Sequence, residues 1–260
     1  MSTEAQRFKG RYALVTGGGQ GIGAETAKLI SQRGAAGIAI CGREKGKLKH
    51  TARAIEQLGV KSFVFAADLA NVDSCFAFVD QAGNAFGQID ILVNAAGTTD
   101  RGSIEDTDLG MWEWQFAINA RAPFFLMQRV LPWMKKNGGG TIVNVLSIIS
   151  HGGPPFLTAY CAAKAALGVI TKNVANAVAP DHIRVNGLNM GWTNTPNEHR
   201  IQTEFHKKTA DWLSEAARQQ PFGRLLEPIE VARAIAFLAS DESGLMTGSL
   251  VDFDQHVVGT

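Results

Sequence analysis

The stretch YALVTGGGQGIGAETAKLI, residues 12–30, decides the fold. It opens on a short apolar run, turns through glycines at 17, 18, 19, 21 and 23, and passes into an amphipathic segment. A backbone that bends sharply and then approaches a pyrophosphate needs residues without a Cβ. The free N–H groups of the helix that follows point the positive end of a dipole at the anion. First strand into first helix is where such a turn belongs, and Gly17, Gly19, Gln20, Gly21, Ile22 and Gly23 are its candidate residues.

Outward from that turn, short apolar runs recur: GIAIC (37–41), KSFVFAA (61–67), DILVN (90–94), TIVNVLS (141–147), HIRVNGL (182–188) and SLVDF (249–253). Near-continuous apolar character marks strands buried on both faces. Amphipathic stretches near 22–33, 44–58, 72–87, 108–136, 158–179 and 228–240 fill the intervals. The alternation predicts an α/β fold, a Rossmann-type doubly wound parallel sheet with helices on both faces. No repeat or linker divides residues 1–260, so one domain is expected, with 190–227 as a substrate lid.

The bulk properties narrow the function. Hydrophobic residues make up 45% of the chain and the net charge is +1, which favours neither nucleic acid nor an anionic membrane as partner. The start, MSTEAQRFKGR, lacks the apolar core of a signal peptide. Cys41, Cys75 and Cys161 are odd in number and scattered, which fits a reducing, cytoplasmic setting. No His, Cys and Asp grouping has metal-ligand spacing, so no catalytic metal is expected.

The second strand ends in Cys41-Gly42-Arg43-Glu44-Lys45, where a dinucleotide's ribose is read. An acidic residue there would bond the 2′-OH of NAD. Gly42 takes that place, and Arg43 can pair with a 2′-phosphate in two-point fashion. NADP is therefore the expected cofactor, with NAD as the alternative through Glu44.

Only two tyrosines occur, Tyr12 and Tyr160, and Lys164 follows Tyr160 at i+4 on one helical face. Ser147 closes the fifth strand and Asn119 lies in the long segment after the fourth. Oxidising an alcohol requires a base on the hydroxyl proton as the hydride leaves carbon. A phenol of pKa near 10 needs about 4 kcal/mol of preferential phenolate stabilisation to act near pH 7. An adjacent ammonium and a positive nicotinamide ring are the expected sources. Ser147 would hold the substrate oxygen against Tyr160, and Asn119 would steady Lys164 through water. Each residue alone is ordinary packing or turn chemistry; the four in this order specify catalysis.

These residues resemble the short-chain dehydrogenase/reductase family in its compact single-domain form, over roughly residues 9–253. The resemblance is carried by TGGGQGIG (16–23), Asp68-Leu69, NAAG (94–97), Asn119, Ser147, YCAAK (160–164), RVN (184–186) and GWTNT (191–195). It implies seven parallel strands and an NAD(P)-dependent oxidoreductase acting on CH–OH groups. It places Asp68 and Leu69 at the adenine, and Asn94, Ala95 and Gly97 at the cofactor cleft. Lys164 falls at the nicotinamide ribose beside Tyr160, and Gly191, Thr193 and Thr195 near the carboxamide. Three departures stand out: Met190-Gly191 replaces the usual Pro-Gly, Gln20 occupies a position often basic in NADP-preferring members, and Leu146 replaces a frequent serine. A homotetramer is implied, with 108–136 and 158–179 forming one interface and the C-terminal strand and tail another.

Between Trp192 and Trp212 the lid carries only Ile201 and Phe205 as large apolar residues, with His199, Arg200, His206, Lys207 and Lys208. Such a wall suits a small polar alcohol or carbonyl: a sugar, polyol or hydroxy acid. Ser147, His151, Tyr160, Trp192, His199 and Arg200 are the candidate substrate residues. Two other functions compete, a catalytically silent NAD(P) sensor on the same fold and a methyltransferase. Neither needs the Tyr160–Lys164 pair.

Overall fold

Strand β1 (Tyr12–Thr16) pairs in parallel with β2 (Gly37–Gly42) on one side and with β4 (Ile91–Asn94) on the other. The chain runs outward from it twice. β3 (Lys61–Ala66) lies beyond β2, while β5 (Gly140–Ser147), β6 (Ile183–Met190) and β7 (Leu250–Phe253) follow β4. The parallel order β3-β2-β1-β4-β5-β6-β7 reverses between β1 and β4, and ligands bind outside the carboxyl ends of strands at such a switch point. The computed structural model describes residues 6–209 and 211–258. The ends of the expected 1–260 domain, and Ala210 of the expected lid, lie outside the described residues.

Successive residues of β1 point to opposite faces and build two cores. Ala13 and Val15 pack with Ile30, Leu48 and Ile235, from α1 (Gly21–Gln32), α2 (Lys45–Glu56) and α9 (Pro228–Ala239). Leu14 packs with Phe78, Leu126 and Val178, from α3 (Val72–Phe86), α5 (Ala122–Lys136) and α6 (Thr158–Val178). Each fully buried side chain of this size contributes about 1.5–3 kcal/mol. The edge strands depart from the two-face burial read in the sequence: Lys61 and Ala66 of β3 and Asp252 of β7 are exposed, because each strand has one neighbour.

The expected continuous helix over 108–136 is broken. α4 (Leu109–Phe116) passes through a wide turn at Ala117–Arg121, where the Ala122 N–H reaches the Ala117 carbonyl, before α5 begins. Pro123 lies in the first turn of α5 and has no N–H to give to the carbonyl four residues back, so the α ladder cannot run unbroken through Asn119. Within the expected lid, α7 (Pro196–Arg200), a second wide turn (Ile201–Phe205) and α8 (Trp212–Arg218) follow one another.

Helix α3 meets α5 at Gly83, where a Cβ would stand 2.5 Å from the Trp133 ring. Gly83→Ala is therefore expected to cost about 1–3 kcal/mol despite alanine's better helix propensity, read as a lowered Tm. An unchanged Tm would mean that Trp133 moves aside freely.

Candidate active site

The carboxyl ends of β1, β4, β5 and β6 open into one cavity of about 790 Å³. At its floor the β1–α1 turn crosses tightly. Gly17 has φ +68, and a Cβ there would meet the Ala96 backbone at 3.0 Å; at Gly23 a Cβ would stand 2.5 Å from the Gly17 carbonyl. The Thr16 hydroxyl locks this turn to the end of β4 by accepting from the N–H groups of Ala95 and Ala96, each at 3.0 Å. Gln20 gives α1 no side-chain cap, and the first turn carries no acidic residue. An uncapped helix start with Gly19, Gln20, Gly21 and Ile22 on the cavity wall fits the diphosphate of a dinucleotide. Thr195, whose side chain caps α7, stands across the cleft 3.6 Å from where a Gly21 Cβ would be.

Further along the wall stand Arg43, Asp68 and Leu69. The Arg43 guanidinium lies over the Trp114 ring, 5.6 Å from its centroid, so these two side chains reach toward each other across the cleft. Glu44 is engaged by Lys47, whose Nζ donates to Oε1 at 2.6 Å. That pairing occupies the carboxylate through which NAD would be read.

Ser147, Tyr160 and Lys164 converge at the inner end of the cavity. The end of β5 supplies Ser147, whose hydroxyl acts on the Tyr160 phenol, and one face of α6 supplies Tyr160 and Lys164. All three are buried. Lys164 Nζ donates to the Val145 carbonyl at 2.7 Å and lies 5.8 Å from the Tyr160 ring centroid. Burial lowers the Lys164 pKa to about 8. It raises the Tyr160 phenol to about 12, against the Ser147 hydrogen bond and the Arg101 charge, which lower it. The phenol was expected to be lowered by Lys164 and a positive nicotinamide ring together; among the chain's own groups alone, desolvation prevails.

Five expected site residues lie off the cavity wall. Asn119 is fully buried in the wide turn, where its Oδ1 accepts from the Thr98 N–H at 3.2 Å and its Nδ2 donates to the Thr98 carbonyl at 2.9 Å. It thus braces the loop after β4 and flanks Gly97 together with Lys164. Asn94 is turned beneath the sheet, its Nδ2 donating to Asn144 Oδ1 at 2.8 Å. His151 is exposed, with Nε2 3.3 Å from Asp252 Oδ1 on β7. His199 accepts from Trp212 Nε1 at 2.9 Å, and Arg200 bonds Glu204 and Asn197. Both stand on the outer side of α7, because helical spacing turns Thr195, Glu198 and Gln202 inward.

Of the remaining expected residues, Ala95, Gly97, Gly191, Trp192 and Thr193 line the cavity. Gly191 is required by the C-terminal segment, since a Cβ there would stand 1.9 Å from an Asp254 carboxylate oxygen. Leu146 packs under Gly187, consistent with a packing consequence alone. Phe156, Glu198 and Gln202 lie in the stretches 148–157 and 192–212, which the sequence brings to the substrate without singling them out, whereas Arg101 and Trp114 were not expected on the wall. Glu198 and Gln202 carried a usable signal in their i,i+4 spacing; Arg101, in a loop, carried none.

Comparison with known proteins places this geometry. Residues 17–255 match a family model described as enoyl-(acyl carrier protein) reductase. The chain is 34% identical over 250 residues to cis-4-hydroxycyclohexanecarboxylate dehydrogenase of Sinomonas cyclohexanicum, covering 96% of this chain and 97% of that one. It is 32% identical to a probable galactose dehydrogenase of Rhizobium meliloti, covering 98% of each. The solved L-sorbose reductase of Gluconobacter frateurii, complexed with NADPH and L-sorbose, superposes with a TM-score of 0.93 at 30% identity over 99% of each chain.

Burial of Lys164 has a pH signature. Unfolded, its pKa lies near 10.5; folded, it lies near 8. Below pH 8 both states hold the proton and the fold bears the desolvation cost; between these values only the unfolded state holds it, so stability rises with pH. Tyr160 acts oppositely, since its raised pKa makes stability fall above pH 10. Relative to Lys164→Met, the wild type is expected to gain up to about 3 kcal/mol between pH 8 and 10.5, read from denaturant midpoints. Parallel pH profiles would contradict this account of Lys164.

Proposed function

The chain belongs to the short-chain dehydrogenase/reductase family of NAD(P)-dependent oxidoreductases, and from that premise we propose that it interconverts a secondary alcohol, or hemiacetal, of a sugar, polyol or hydroxy acid with its carbonyl. The observation that carries this reading is the convergence of buried Ser147, Tyr160 and Lys164 at the end of a cavity that begins at the glycine turn. Bound there, the coenzyme supplies the hydride acceptor or donor and, when oxidised, a positive ring charge. Ser147 holds the substrate oxygen beside the Tyr160 hydroxyl, and Tyr160 takes or returns its proton. Lys164, mostly protonated below its pKa of about 8, is held by the Val145 carbonyl beside Tyr160 and would bond the nicotinamide ribose of a bound coenzyme. Asn119 acts as a positioning residue through the Thr98 loop.

NADP is the proposed coenzyme, read at the 2′-phosphate by Arg43 once it leaves the Trp114 face. The likeness to enzymes named for a galactose, a sorbose and a hydroxycyclohexanecarboxylate supports a polar, hydroxylated substrate. Self-association, as a homotetramer, is part of the same proposal. Trp112 and Phe124 are 40% and 38% exposed on α4 and α5, giving an apolar face for a second copy. No helix among the described residues is long and apolar enough to cross a membrane. The free thiols of Cys41, Cys75 and Cys161 suit a cytoplasmic location.

A panel of polyols, ketoses and hydroxy acids assayed with both coenzymes tests the reaction. Tyr160→Phe is expected to lower kcat by about a hundredfold or more while retaining coenzyme binding. Coenzyme binding without turnover of any panel member would favour a sensor instead. Arg43→Ala is expected to weaken NADP about tenfold more than NAD, measured as the ratio of their Kd values. Equal weakening of both would defeat the ribose assignment.

A further inference from the structure

Beyond Tyr160 the cavity wall holds a cation and an anion that do not quite touch. Arg101, on the loop after β4, and Glu198, on α7, have side chains only 8% and 13% exposed, with Nη2 and Oε2 3.7 Å apart. Direct charge-assisted bonds run near 2.7–2.9 Å. Neither atom has a hydrogen bond among the described residues, although both side chains are otherwise well anchored. Arg101 donates through Nη1 to the Thr99 carbonyl and through Nε to His206 Nε2 at 3.4 Å. Glu198 Oε1 accepts from Trp192 Nε1 at 2.9 Å and from Gln202 Nε2 at 2.7 Å. Both atoms open onto the cavity, so each has hydrogen-bonding capacity available to a group that enters it.

We propose that Arg101 Nη2 and Glu198 Oε2 together hold a second hydroxyl of the substrate, the guanidinium donating to it and the carboxylate accepting from it. The inference rests on the reading above that the reacting oxygen sits at Ser147 and Tyr160. A hydroxyl is the common substrate group that accepts and donates at one oxygen. A carboxylate has acceptors alone: it would accept from Arg101 while facing the Glu198 oxygen with like charge. Glu198 cannot easily swing away, because Trp192 and Gln202 fix it. The pair therefore selects an uncharged polyhydroxy substrate over a hydroxy acid. Arg101 and Glu198 line the same cavity as Ser147 and Tyr160, so one small substrate can reach both places.

Three probes of one ring size test this with NADP⁺: cyclohexanol, 1,2-cyclohexanediol and 2-hydroxycyclohexanecarboxylate. In the wild type, kcat/KM for the diol is expected to exceed that for either of the others by about tenfold or more. Glu198→Gln is expected to cut the diol-to-cyclohexanol ratio by about tenfold, mainly through KM, and to raise the hydroxy acid relative to the diol. Arg101→Lys, which keeps the charge and loses the fork, should cut the same ratio and guards against a Glu198→Gln protein that fails to fold. A ratio unmoved in both variants, or a wild type that favours the hydroxy acid, overturns the proposal. Turnover of cyclohexanol with no gain for the diol overturns the hydroxyl bridge and leaves the oxidoreductase standing; no turnover of any probe by the wild type overturns both.

Discussion

A lysine held out of water is the constraint around which this site is built. Lys164 donates to the carbonyl of Val145, two residues before Ser147, and so ties α6 to the carboxyl end of β5. That single bond fixes the separation of the serine on one element from the tyrosine on the other. It also requires an ammonium to stay buried, at a cost the fold meets with two apolar layers and a seven-stranded sheet. Burial of Tyr160 follows from the same packing and works against its use as a base, because desolvation disfavours the phenolate. On the proposed mechanism, the chain's own groups leave the Tyr160 phenol poorly prepared to act as a base. The positive ring of an oxidised coenzyme, if bound beside it, would supply the missing stabilisation of the phenolate.

Much of the frame could be read from sequence because it rests on local, periodic signals. The glycine turn, the apolar runs and the Tyr160–Lys164 spacing all encode structure within a few residues of themselves. What failed to appear depended on distant contacts or on the orientation of a helix. His199 and Arg200 look like pocket residues by composition, yet helical phase turns them outward and gives the inner positions to Glu198 and Gln202. His151 carries no mark that distinguishes pocket from surface, and its partner Asp252 lies 101 residues away. The break at Asn119 was legible in principle from Pro123, whose missing N–H forbids an uninterrupted ladder.

On the proposed reading, the two halves of the cavity would recognise their ligands differently. The coenzyme half relies on backbone: glycines that admit close approach, an uncapped helix start, and Thr16 clamping the turn to β4. The substrate half relies on side chains drawn from loops and from the short α7, where Arg101, Trp192, Glu198, Gln202 and His206 form one connected polar group. Backbone recognition varies little with sequence, whereas this second group can be altered residue by residue. Substrate choice within such a frame is therefore expected to reside in the Arg101 loop and α7.

The charge of an oxidised coenzyme would turn a buried, weakly acidic phenol into a usable base. Tyr12→Phe leaves Tyr160 as the only tyrosine, so tyrosinate absorbance then reports one group. Titrated without coenzyme, it should ionise near pH 12; with oxidised NADP bound, the midpoint should fall by several units. The same midpoint in both titrations would contradict the account.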